Sequence, residues 1–299
     1  MVMLKTDTII IDGKKISQQI IKELEVKIAD YALSQSRVPG LAVVLVGNNP
    51  ASRAYVTSKK KTCSQIGIQS FEYCLPEDVS ESELLGLIDQ LNQDGLIDGI
   101  LVQLPLPSHI NENLVIESIS PSKDVDGFHP ISVGKLLIGL DTFKSCTPYG
   151  VLRLLAAYNI DPAGKHVVIV GRSNIVGKPV AAMLVQREAG ANATVTIAHS
   201  QTDDLTSITR QADILIAAIG KASFITADMV KQGAVVIDVG INKVDDSSTD
   251  KGYRLVGDVD YDAVLNKAKA ITPVPGGVGP MTIAMLMDNT LMAYEKKMT

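Results

Sequence analysis

Tyr55 and Lys59 are the residues of this 299-residue chain whose types and spacing most suggest chemistry. They lie four positions apart in a stretch predicted to be a helix that begins after Gly47-Asn-Asn-Pro50. Residues four apart share one helix face, so a phenol and an ammonium group can reach the same ligand. Such a pair also occurs by chance on many amphipathic helices, so the motif alone favours an ordinary surface pair. Its meaning depends on the rest of the chain.

Two carboxylates and a loop rich in proline and glycine are further candidates. Asp124 and Asp126 lie beside Gly127 in a polar connection. An Asx turn readily explains one of these aspartates, but explains both less well. Thr272-Pro-Val-Pro-Gly-Gly-Val-Gly-Pro-Met-Thr282 concentrates three prolines and three glycines directly before a helix. Such a loop is stiff at its prolines and exposes main chain at its glycines, which suits a flat ligand lying against the backbone.

A strand that runs into a glycine-containing turn predicts a nucleotide site. The apolar strand 166–170 is followed by Gly171-Arg-Ser-Asn-Ile-Val-Gly177 and then by a helix. Gly171 permits a tight turn, Gly177 permits close packing of helix on strand, and the helix N-terminus offers backbone N–H groups to an anion. Ser173 replaces the middle glycine of the usual Gly-x-Gly-x-x-Gly pattern, so an ordinary strand–helix turn stays open as an alternative.

The end of the next strand indicates the coenzyme. A site for NAD usually has Asp or Glu there, which binds the ribose 2′-hydroxyl. This chain has His199 and Ser200 instead, and Arg172 lies in the first turn. A cation and a hydroxyl suit a 2′-phosphate, so the sequence favours NADP over NAD.

Composition excludes several classes of function. The chain is 46% hydrophobic, which at this length allows a large core and two domains. The net charge of −5, the 4% of aromatics and the absence of Trp leave no basic stripe or stacking platform for nucleic acid. No apolar run spans a membrane, and the start lacks a signal-peptide pattern. Cys63, Cys74 and Cys146 lack metal-ligand spacing, which predicts reduced core residues, no metal site and a cytosolic enzyme.

These motifs must be positioned by strands and helices, which the sequence indicates as apolar runs alternating with amphipathic stretches. Strands are predicted at 41–46, 68–75, 99–103, 166–170, 193–198, 213–218 and 234–239. Helices are predicted at 14–33, from 51 to about 67, from a capping box at Ser80-Glu-Ser-Glu83 through 91, at 176–186 and at 281–294. The polar segment 243–254 is expected to be an exposed hairpin or loop, and the last, Met-rich helix a core or docking element. The alternation predicts an α/β protein with two parallel sheets covered by helices.

Five long motifs together carry a resemblance to one family. In segments 46–59, 98–107, 123–127, 171–177 and 272–282, the chain closely resembles the bifunctional methylenetetrahydrofolate dehydrogenase/methenyltetrahydrofolate cyclohydrolase family. The resemblance covers essentially the whole chain, in order, and five such motifs are highly specific. The segment 186–192, between the nucleotide helix and its next strand, is a few residues longer than is usual in the family. We expect it to be a surface adjustment.

The resemblance implies oxidation of 5,10-methylenetetrahydrofolate by NADP and hydrolysis of the methenyl product to 10-formyltetrahydrofolate. The hydride step needs alignment but no general base, whereas the hydrolysis is helped by one. Lys59 is the implied base, oriented by Gln103; Tyr55 is implied to stack on the aminobenzoate ring and Asp126 to anchor the pterin. The other implied contacts are to substrate from Pro275, Gly276 and Gly277, and to NADP from Gly171, Arg172, Ser173, Ile175, Val176, His199, Ser200 and Ile241.

The resemblance also implies two α/β domains that face a cleft, in a cytoplasmic homodimer. Residues 1–149, completed by the C-terminal helix 283–299, are expected to bind folate. Residues 150–282 are expected to form a Rossmann-type, doubly wound parallel sheet that binds NADP.

Three alternatives stay open. A monofunctional dehydrogenase of the same family would keep nearly the same motifs. A short-chain dehydrogenase also uses Tyr-x-x-x-Lys, but there the pair follows the glycine-rich turn, and here it precedes that turn by more than a hundred residues. A non-catalytic nucleotide-binding sensor would have no reason to keep Lys59, Gln103 and Asp126 in its other domain.

Overall fold

The computed structural model describes residues 8–35, 37–249 and 252–298. The chain divides into two compact units, which we name by their sheets. The three-strand unit comprises Gln18–Cys146 and the chain from Ile283 onward, and the six-strand unit comprises the segment up to Ser17 and Thr147–Thr282.

The described residues form strands and helices in alternation over most of the chain. The strands are β1 (Ile9–Ile10), β2 (Gly40–Val46), β3 (Gln69–Leu75), β4 (Gly99–Val102), β5 (His166–Val170), β6 (Thr194–Ala198), β7 (Ile214–Ala217), β8 (Val235–Asp238), β9 (Asn242–Asp245), β10 (Tyr253–Val256) and β11 (Ala270–Ile271). The α-helices are α1 (Gly13–Ser34), α2 (Pro50–Ile66), α3 (Glu81–Gln93), α4 (Glu112–Ser118), α5 (Pro130–Leu137), α6 (Cys146–Ala157), α7 (Gly177–Leu184), α8 (Leu205–Thr209), α9 (Tyr261–Leu265) and α10 (Val278–Met298).

The three-strand unit is built on a parallel sheet in the order β3-β2-β4. The central strand β2 is buried along its whole length, as its uninterrupted apolar sequence predicts. Helices α2 and α3 make the two crossovers, because parallel neighbours cannot be joined by a tight turn. The predicted β-α-β-α-β order is confirmed, and the capping box at Ser80 and Glu83 begins α3 as expected.

Helix α2 has well-defined ends. The side chain of Asn49 accepts hydrogen bonds from the N–H groups of Ala51 and Ser52, and Pro50 occupies the first turn. Gly67 ends the helix with φ of +83°, a conformation that glycine adopts without a Cβ penalty. These caps fix where the helix begins and therefore which of its residues face inward.

Helix α10 completes the three-strand unit from the far end of the chain. The side-chain amide of Asn289 donates to the carbonyls of Val125 (2.7 Å) and Lys144 (2.9 Å). The hydroxyl of Tyr294 donates to the carbonyl of Arg37 at 2.8 Å. These bonds join side chains of α10 to backbone carbonyls of three other segments of the unit. The Met-rich helix is therefore a core element.

The six-strand unit is built on a wholly parallel sheet in the order β1-β11-β8-β7-β5-β6. From β5 the chain adds β6 on one side and then returns to β7 on the other. The sheet is therefore doubly wound, with its topological switch point between β5 and β7. The polar segment after β8 is an antiparallel hairpin of β9 and β10, one of the two forms expected.

The N-terminal segment belongs to the six-strand sheet. The N–H groups of Ile9 and Ile11 donate to the carbonyls of Lys269 (3.0 Å) and Ile271 (2.8 Å). The sequence predicts that all of residues 1–149 belong to the folate-binding domain. In the structure, the segment up to Ser17 belongs to the six-strand unit instead. A two-residue edge strand shows no period that a sequence pattern could reveal.

One expectation about the cysteines is wrong. Cys63 and Cys146 are buried, but Cys74 is exposed. It lies on β3, an edge strand whose alternate residues face solvent, so a position that looked like core is outside. No helix in the described part of the chain combines the length and apolarity that crossing a membrane requires.

Candidate active site

Lys59 lies at the centre of a small polar cluster in the three-strand unit. It projects from α2, and only 7% of the residue is exposed. Its Nζ lies 3.0 Å from Oε1 of Gln103. The Nε2 group of Gln103 donates to the carbonyl of Leu104 at 2.7 Å, which turns the amide oxygen toward the lysine. The N–H of Gln103 continues the ladder of β4 by donating to Val44 O, so the pair is held by the sheet.

Burial lowers the pKa of Lys59, and the nearby Asp126 carboxylate opposes this shift only in part. Removing an ammonium group from water disfavours its charged form, whereas a neighbouring anion favours it. Because burial is the larger cause, Lys59 is more often a neutral amine at a given pH than an exposed lysine is. A neutral amine can accept a proton, which an ammonium cannot.

The two aspartates of the 124–127 segment have different environments. Asp124 is buried, and its carboxylate accepts from the N–H groups of Phe128 (3.1 Å) and His129 (2.9 Å). Burial raises the pKa of Asp124 to about 6. Asp126 is half-buried, burial raises its pKa, and the Lys59 charge opposes that rise. Asp124 therefore shapes the turn, and Asp126 is the carboxylate beside Lys59.

Gly127 makes this turn possible. Its φ is +70°, and a Cβ at this position would lie 2.6 Å from the backbone nitrogen of Ser145. A side chain would therefore be strained and would also collide with the backbone.

Tyr55 lies one helical turn before Lys59, as the spacing predicted, and is 39% exposed. Partial burial raises the pKa of its hydroxyl, which stays protonated at neutral pH. The ring therefore combines an apolar body with solvent access, as a stacking surface requires.

Sequence analysis missed two thiols at this cluster. Cys146 Sγ lies 3.8 Å from Oδ1 of Asp126, and Cys63 follows Lys59 by one turn of α2. Burial raises the pKa of the Cys63 thiol to about 12 and that of the Cys146 thiol well above its usual value, so both are neutral neighbours of the charged groups. The spacing of 55, 59 and 63 could have indicated Cys63, but no local signal indicates Cys146.

The turn between β5 and α7 lies at the switch point of the six-strand sheet. Gly171 has φ of +136°, and a Cβ there would lie 2.1 Å from the carbonyl oxygen of Ala218, directly after β7. A Cβ on Gly177 would lie 2.2 Å from the carbonyl oxygen of Gly171. Both glycines therefore allow backbone to approach backbone, which is the role the sequence predicted for them.

The N–H groups at the N-terminus of α7 have partners within the turn itself. Ser173 Oγ accepts from the N–H groups of Val176 (3.1 Å) and Gly177 (3.3 Å), and Ser173 O accepts from Lys178 N at 3.1 Å. Pro179 has no N–H, so the first turn of α7 is already satisfied by Ser173. The serine that replaces the middle glycine thus takes the donors that a bound anion was expected to use. Two other residues of the turn, Arg172 and Ile175, are exposed to solvent.

The end of β6 carries the residues expected to choose the coenzyme. Nδ1 of His199 accepts from the N–H of Gln201 at 3.2 Å, and the backbone N–H of His199 donates to Thr202 Oγ1 at 2.8 Å. Ser200 is exposed, as is Arg172. The register of β5 with β6 pairs Val170 with Ala198, so both exposed residues follow strands that end at the same edge of the sheet.

The longer segment 186–192 lies at the other end of β6. Its Asn192 N–H donates to Gln186 O at 2.9 Å, and Ala193 N donates to Leu184 O at 2.9 Å. The segment therefore closes on itself before β6 begins. The five residues of β6 span about 16 Å, so the extra length lies far from Ser200.

The loop after β11 packs against the start of α1, within the six-strand unit. Lys14 N donates to the carbonyl of Gly276 at 2.9 Å, and a Cβ on Gly13 would lie 1.8 Å from Gly277 O. Pro275 is exposed, and Gly276 has φ of +108°. Ile241, which is 45% exposed, lies with its Cδ1 3.3 Å from where a Cβ of Gly279 would be. These close contacts explain why glycines are needed here.

The predicted site residues thus form two groups. Tyr55, Lys59, Gln103 and Asp126 lie in the three-strand unit. The six-strand unit holds the other predicted site residues, which lie in the β5–α7 turn, at the end of β6, at Ile241 and in the 275–277 loop. A doubly wound sheet with a glycine turn at its switch point, together with a buried lysine on a second α/β unit, defines a dinucleotide-binding enzyme class.

Comparison with known proteins narrows this class to a family. Residues 11–126 match the family model described as the tetrahydrofolate dehydrogenase/cyclohydrolase catalytic domain, and residues 145–298 match the NAD(P)-binding domain of the same family. The chain belongs to the tetrahydrofolate dehydrogenase/cyclohydrolase family, as its motifs predicted.

Individual relatives agree along the whole chain. It is 59% identical to the bifunctional protein FolD of Chlorobium phaeobacteroides over 289 residues, which cover 96% of this chain and 98% of that one. The crystal structure of the bifunctional FolD enzyme from Campylobacter jejuni superposes with a TM-score of 0.91 at 51% identity, covering 97% and 99%. FolD from Trypanosoma brucei, solved with NADP cofactor and inhibitor, gives a TM-score of 0.92 at 38% identity, covering 97% and 98%. The predicted α/β fold class with a Rossmann-type second sheet is confirmed.

Proposed function

We propose that this protein oxidises 5,10-methylenetetrahydrofolate with NADP and then hydrolyses the methenyl product to 10-formyltetrahydrofolate. One observation supports the second activity most strongly. Lys59 is 7% exposed, its pKa is lowered by burial, and its Nζ lies 3.0 Å from Gln103 Oε1 with Asp126 nearby. Of the two proposed steps, only the hydrolysis transfers a proton from water and therefore needs a neutral amine.

In the dehydrogenase step, NADP when bound accepts a hydride from the carbon between N5 and N10 of the substrate. The nitrogen lone pair expels the hydride, so the protein must align the reactants rather than move a proton. Gly171 and Gly177 allow the 171–177 turn to pack against Ala218 and against itself, and a turn of this kind at the switch point of a doubly wound sheet is where a dinucleotide would bind. Ile175, Val176, His199 and Ile241 would provide further walls of that site.

In the hydrolytic step, water adds to the methenyl carbon. Lys59, as a neutral amine, accepts one proton of the attacking water, and the new C–O bond gives a tetrahedral adduct. Oε1 of Gln103 accepts a hydrogen bond from the resulting ammonium and holds it in place. The C–N5 bond then breaks, N5 takes the proton from Lys59, and the hydroxyl of the adduct loses its proton as the formyl carbonyl forms on N10. One proton is released overall.

Asp126 and Tyr55 are the proposed folate-binding residues of the three-strand unit. A carboxylate can accept a paired hydrogen bond from the 2-amino group and the N3–H of a pterin. The half-exposed ring of Tyr55 offers a surface for the aminobenzoate. Pro275, Gly276 and Gly277 are also proposed to contact the substrate; of the three, Pro275 is exposed, Gly276 is half-buried and Gly277 is buried.

The choice of NADP rests on charge. Arg172 and Ser200 are exposed at the edge where β5 and β6 end, and the strand end offers no carboxylate to a free 2′-hydroxyl. A relative of known structure, the Trypanosoma brucei FolD, was solved with NADP. We further propose a homodimer in the cytoplasm that binds neither nucleic acid nor membrane.

The test is a spectrophotometric assay with 5,10-methylenetetrahydrofolate and each coenzyme, followed by a separate assay with 5,10-methenyltetrahydrofolate. NADP-dependent formation of an acid-stable methenyl product and its subsequent hydrolysis are expected. Oxidation without hydrolysis would identify a monofunctional dehydrogenase, and no turnover with bound NADP would identify a nucleotide sensor. A preference for NAD, with or without magnesium and phosphate, would refute the coenzyme assignment.

A further inference from the structure

Two buried carboxylates lie at the carboxyl end of the six-strand sheet, apart from the residues that the proposed reaction uses. Asp238 is the last residue of β8, and Asp258 follows β10 by two positions. They are 3% and 0% exposed. Burying a carboxylate costs free energy unless hydrogen bonds replace its hydration. The hydrogen-bond partners of Asp238 and Asp258 therefore indicate which parts of the fold these carboxylates stabilise.

Asp258 organises the loop that follows β7. Its Oδ2 accepts from the N–H groups of Ile219 (2.6 Å) and Gly220 (2.9 Å), and its Oδ1 accepts from Lys221 N (2.9 Å). The side chain of Asn242 donates to the same Oδ1 at 2.8 Å. Three successive backbone amides that converge on one anion form a nest, with Gly220 at φ of +74°. The carboxylate thus acts as a built-in anion that fixes the loop.

Asp238 holds the backbone at Asp258 in place. Its carboxylate accepts from the backbone N–H groups of Gly240 (3.0 Å), Asp258 (2.9 Å) and Val259 (2.9 Å). Its own N–H donates to Thr272 Oγ1 at 2.7 Å, at the start of the loop after β11. Burial raises the pKa of Asp238 to about 6, and the Asp258 charge adds to the rise. Two neighbouring carboxylates thus connect the loops after β7, β8 and β11.

Two glycines leave room for these carboxylates. A Cβ on Gly240 would lie 2.2 Å from Asp258 Oδ1, and a Cβ on Gly257 would lie 1.8 Å from Asp238 Oδ2. Neither glycine has a positive φ, so the backbone conformation does not require them. The space that each side chain would fill is occupied by a carboxylate of the other segment.

The connected loops border the switch point of the sheet. Ala218, whose carbonyl abuts Gly171, leads directly into the loop that Asp258 fixes. Ile241 lies between Gly240 and Asn242, which are bound by the two carboxylates. Ligands of open α/β sheets bind outside the carboxyl ends of the strands at this point.

We propose that Asp258, supported by Asp238, is a positioning residue for the coenzyme: it holds residues 219–221 and Asn242 in the shape that a dinucleotide requires. The inference rests on the coenzyme binding proposed above. It assigns Asp258 no contact with the coenzyme and no part in proton transfer. Its effect therefore does not depend on the 2′-phosphate and is the same for NADP and NAD.

The test compares Asp258→Asn with Asp262→Asn, a matched change on the exposed face of α9. Asparagine places an NH₂ group against backbone N–H donors, so the loop must move. We expect the Kd values for NADP and NAD, measured by calorimetry, to rise by the same factor of about ten to a hundred. Hydrolysis of 5,10-methenyltetrahydrofolate without coenzyme should be unchanged, as should both measurements for Asp262→Asn.

The gentler variant Asn242→Ala removes one donor and leaves the carboxylate in place. It should raise both Kd values by about three- to tenfold, and it serves if Asp258→Asn does not fold. Unchanged Kd values in a folded variant would overturn the inference alone. An equal loss of hydrolysis and coenzyme binding would also overturn it, because it would indicate a general structural role. Wild-type protein that binds neither coenzyme would overturn the proposed function, and this inference with it.

Discussion

The Lys59 cluster and the turn between β5 and α7 use opposite strategies to present a ligand site. In the first, a side chain that is 7% exposed has its pKa changed by burial and its position fixed by Gln103. In the second, the backbone forms the site, Gly171 and Gly177 let backbone segments approach each other closely, and Arg172 is exposed to solvent. Chemistry that depends on protonation requires the first environment, whereas recognition of a charged phosphate is possible in the second.

This contrast predicts that mutations in the two regions fail in different ways. A change in the buried cluster should remove one reaction or both with little change in coenzyme affinity. A change at the exposed edge should alter coenzyme preference and leave the hydrolytic step intact.

Lys59→Met should abolish methenyl hydrolysis and leave substantial hydride transfer. Only hydrolysis needs a proton acceptor, and loss of a general base costs about a hundred- to ten-thousandfold in rate. Both activities are measured separately, with Lys61→Met as a matched control on the exposed side of α2. If both activities fell together while folate binding was intact, Lys59 would act on the geometry of hydride transfer rather than as a base.

Asp126→Ala should impair both reactions, because both use the pterin that it is proposed to anchor. Loss of a paired, charge-assisted contact should cost about 2–3 kcal/mol of transition-state stabilisation. Steady-state kinetics with both substrates measure this loss.

The neighbouring Asp124 provides the contrast. Asp124→Asn should chiefly lower the melting temperature, because its carboxylate holds the N–H groups of Phe128 and His129. A near-normal folate KM and near-normal rates in Asp126→Ala would contradict the anchoring role of Asp126, and Asp124 would then be the next carboxylate to test.

Arg172→Ala should reduce the preference for NADP over NAD by about ten- to a hundredfold, since hydrogen bonds to a charged group are worth about 1.5–3 kcal/mol. The KM for NADP should rise while the use of NAD stays nearly constant. Arg187→Ala, in the loop at the far end of β6, is the matched control. Equal losses with both coenzymes would show that Arg172 does not read the 2′-phosphate.

The smallest effect concerns pH. The rate of hydrolysis should rise with pH as Lys59 loses its proton, and the midpoint should lie below the ordinary lysine pKa of about 10.4, because burial lowers it. Gln103→Glu adds an anion beside the ammonium, so it should move the midpoint upward and slow hydrolysis at neutral pH. A midpoint that does not move between wild type and Gln103→Glu would mean that another group is titrating.

Sequence reading succeeded where a local pattern carries the structure. The spacing of Tyr55 and Lys59, the capping box at Ser80 and the apolar strands β2 and β5 are each set by residues within one element. It failed where partners come from distant segments. The two-residue strands β1 and β11 are defined by pairing with strands that are distant in the sequence, β1 with β11 and β11 also with β8, and Cys146 reaches Asp126 from 20 positions away.

Ser173 shows a third case. Its position in the motif was recognised, but its hydroxyl takes the N–H groups of the first turn of α7, which a comparison with glycine-rich patterns does not reveal. The functional roles of the site residues stay predictions, because the sequence identifies a base or an anchor only through the reaction that it is expected to serve.

The bonds from α10 to the three-strand unit have a consequence for synthesis on the ribosome. Domains generally fold as units while the chain emerges, beginning with the N-terminal one. Here residues 18–146 emerge before residues 147–282, yet the carbonyls of Val125, Lys144 and Arg37 accept hydrogen bonds from Asn289 and Tyr294 of α10, which are made later. The nascent three-strand unit therefore lacks these hydrogen bonds until residues 283–298 have been made. The three-strand unit, most of which is made before residue 147, is thus completed after the six-strand unit.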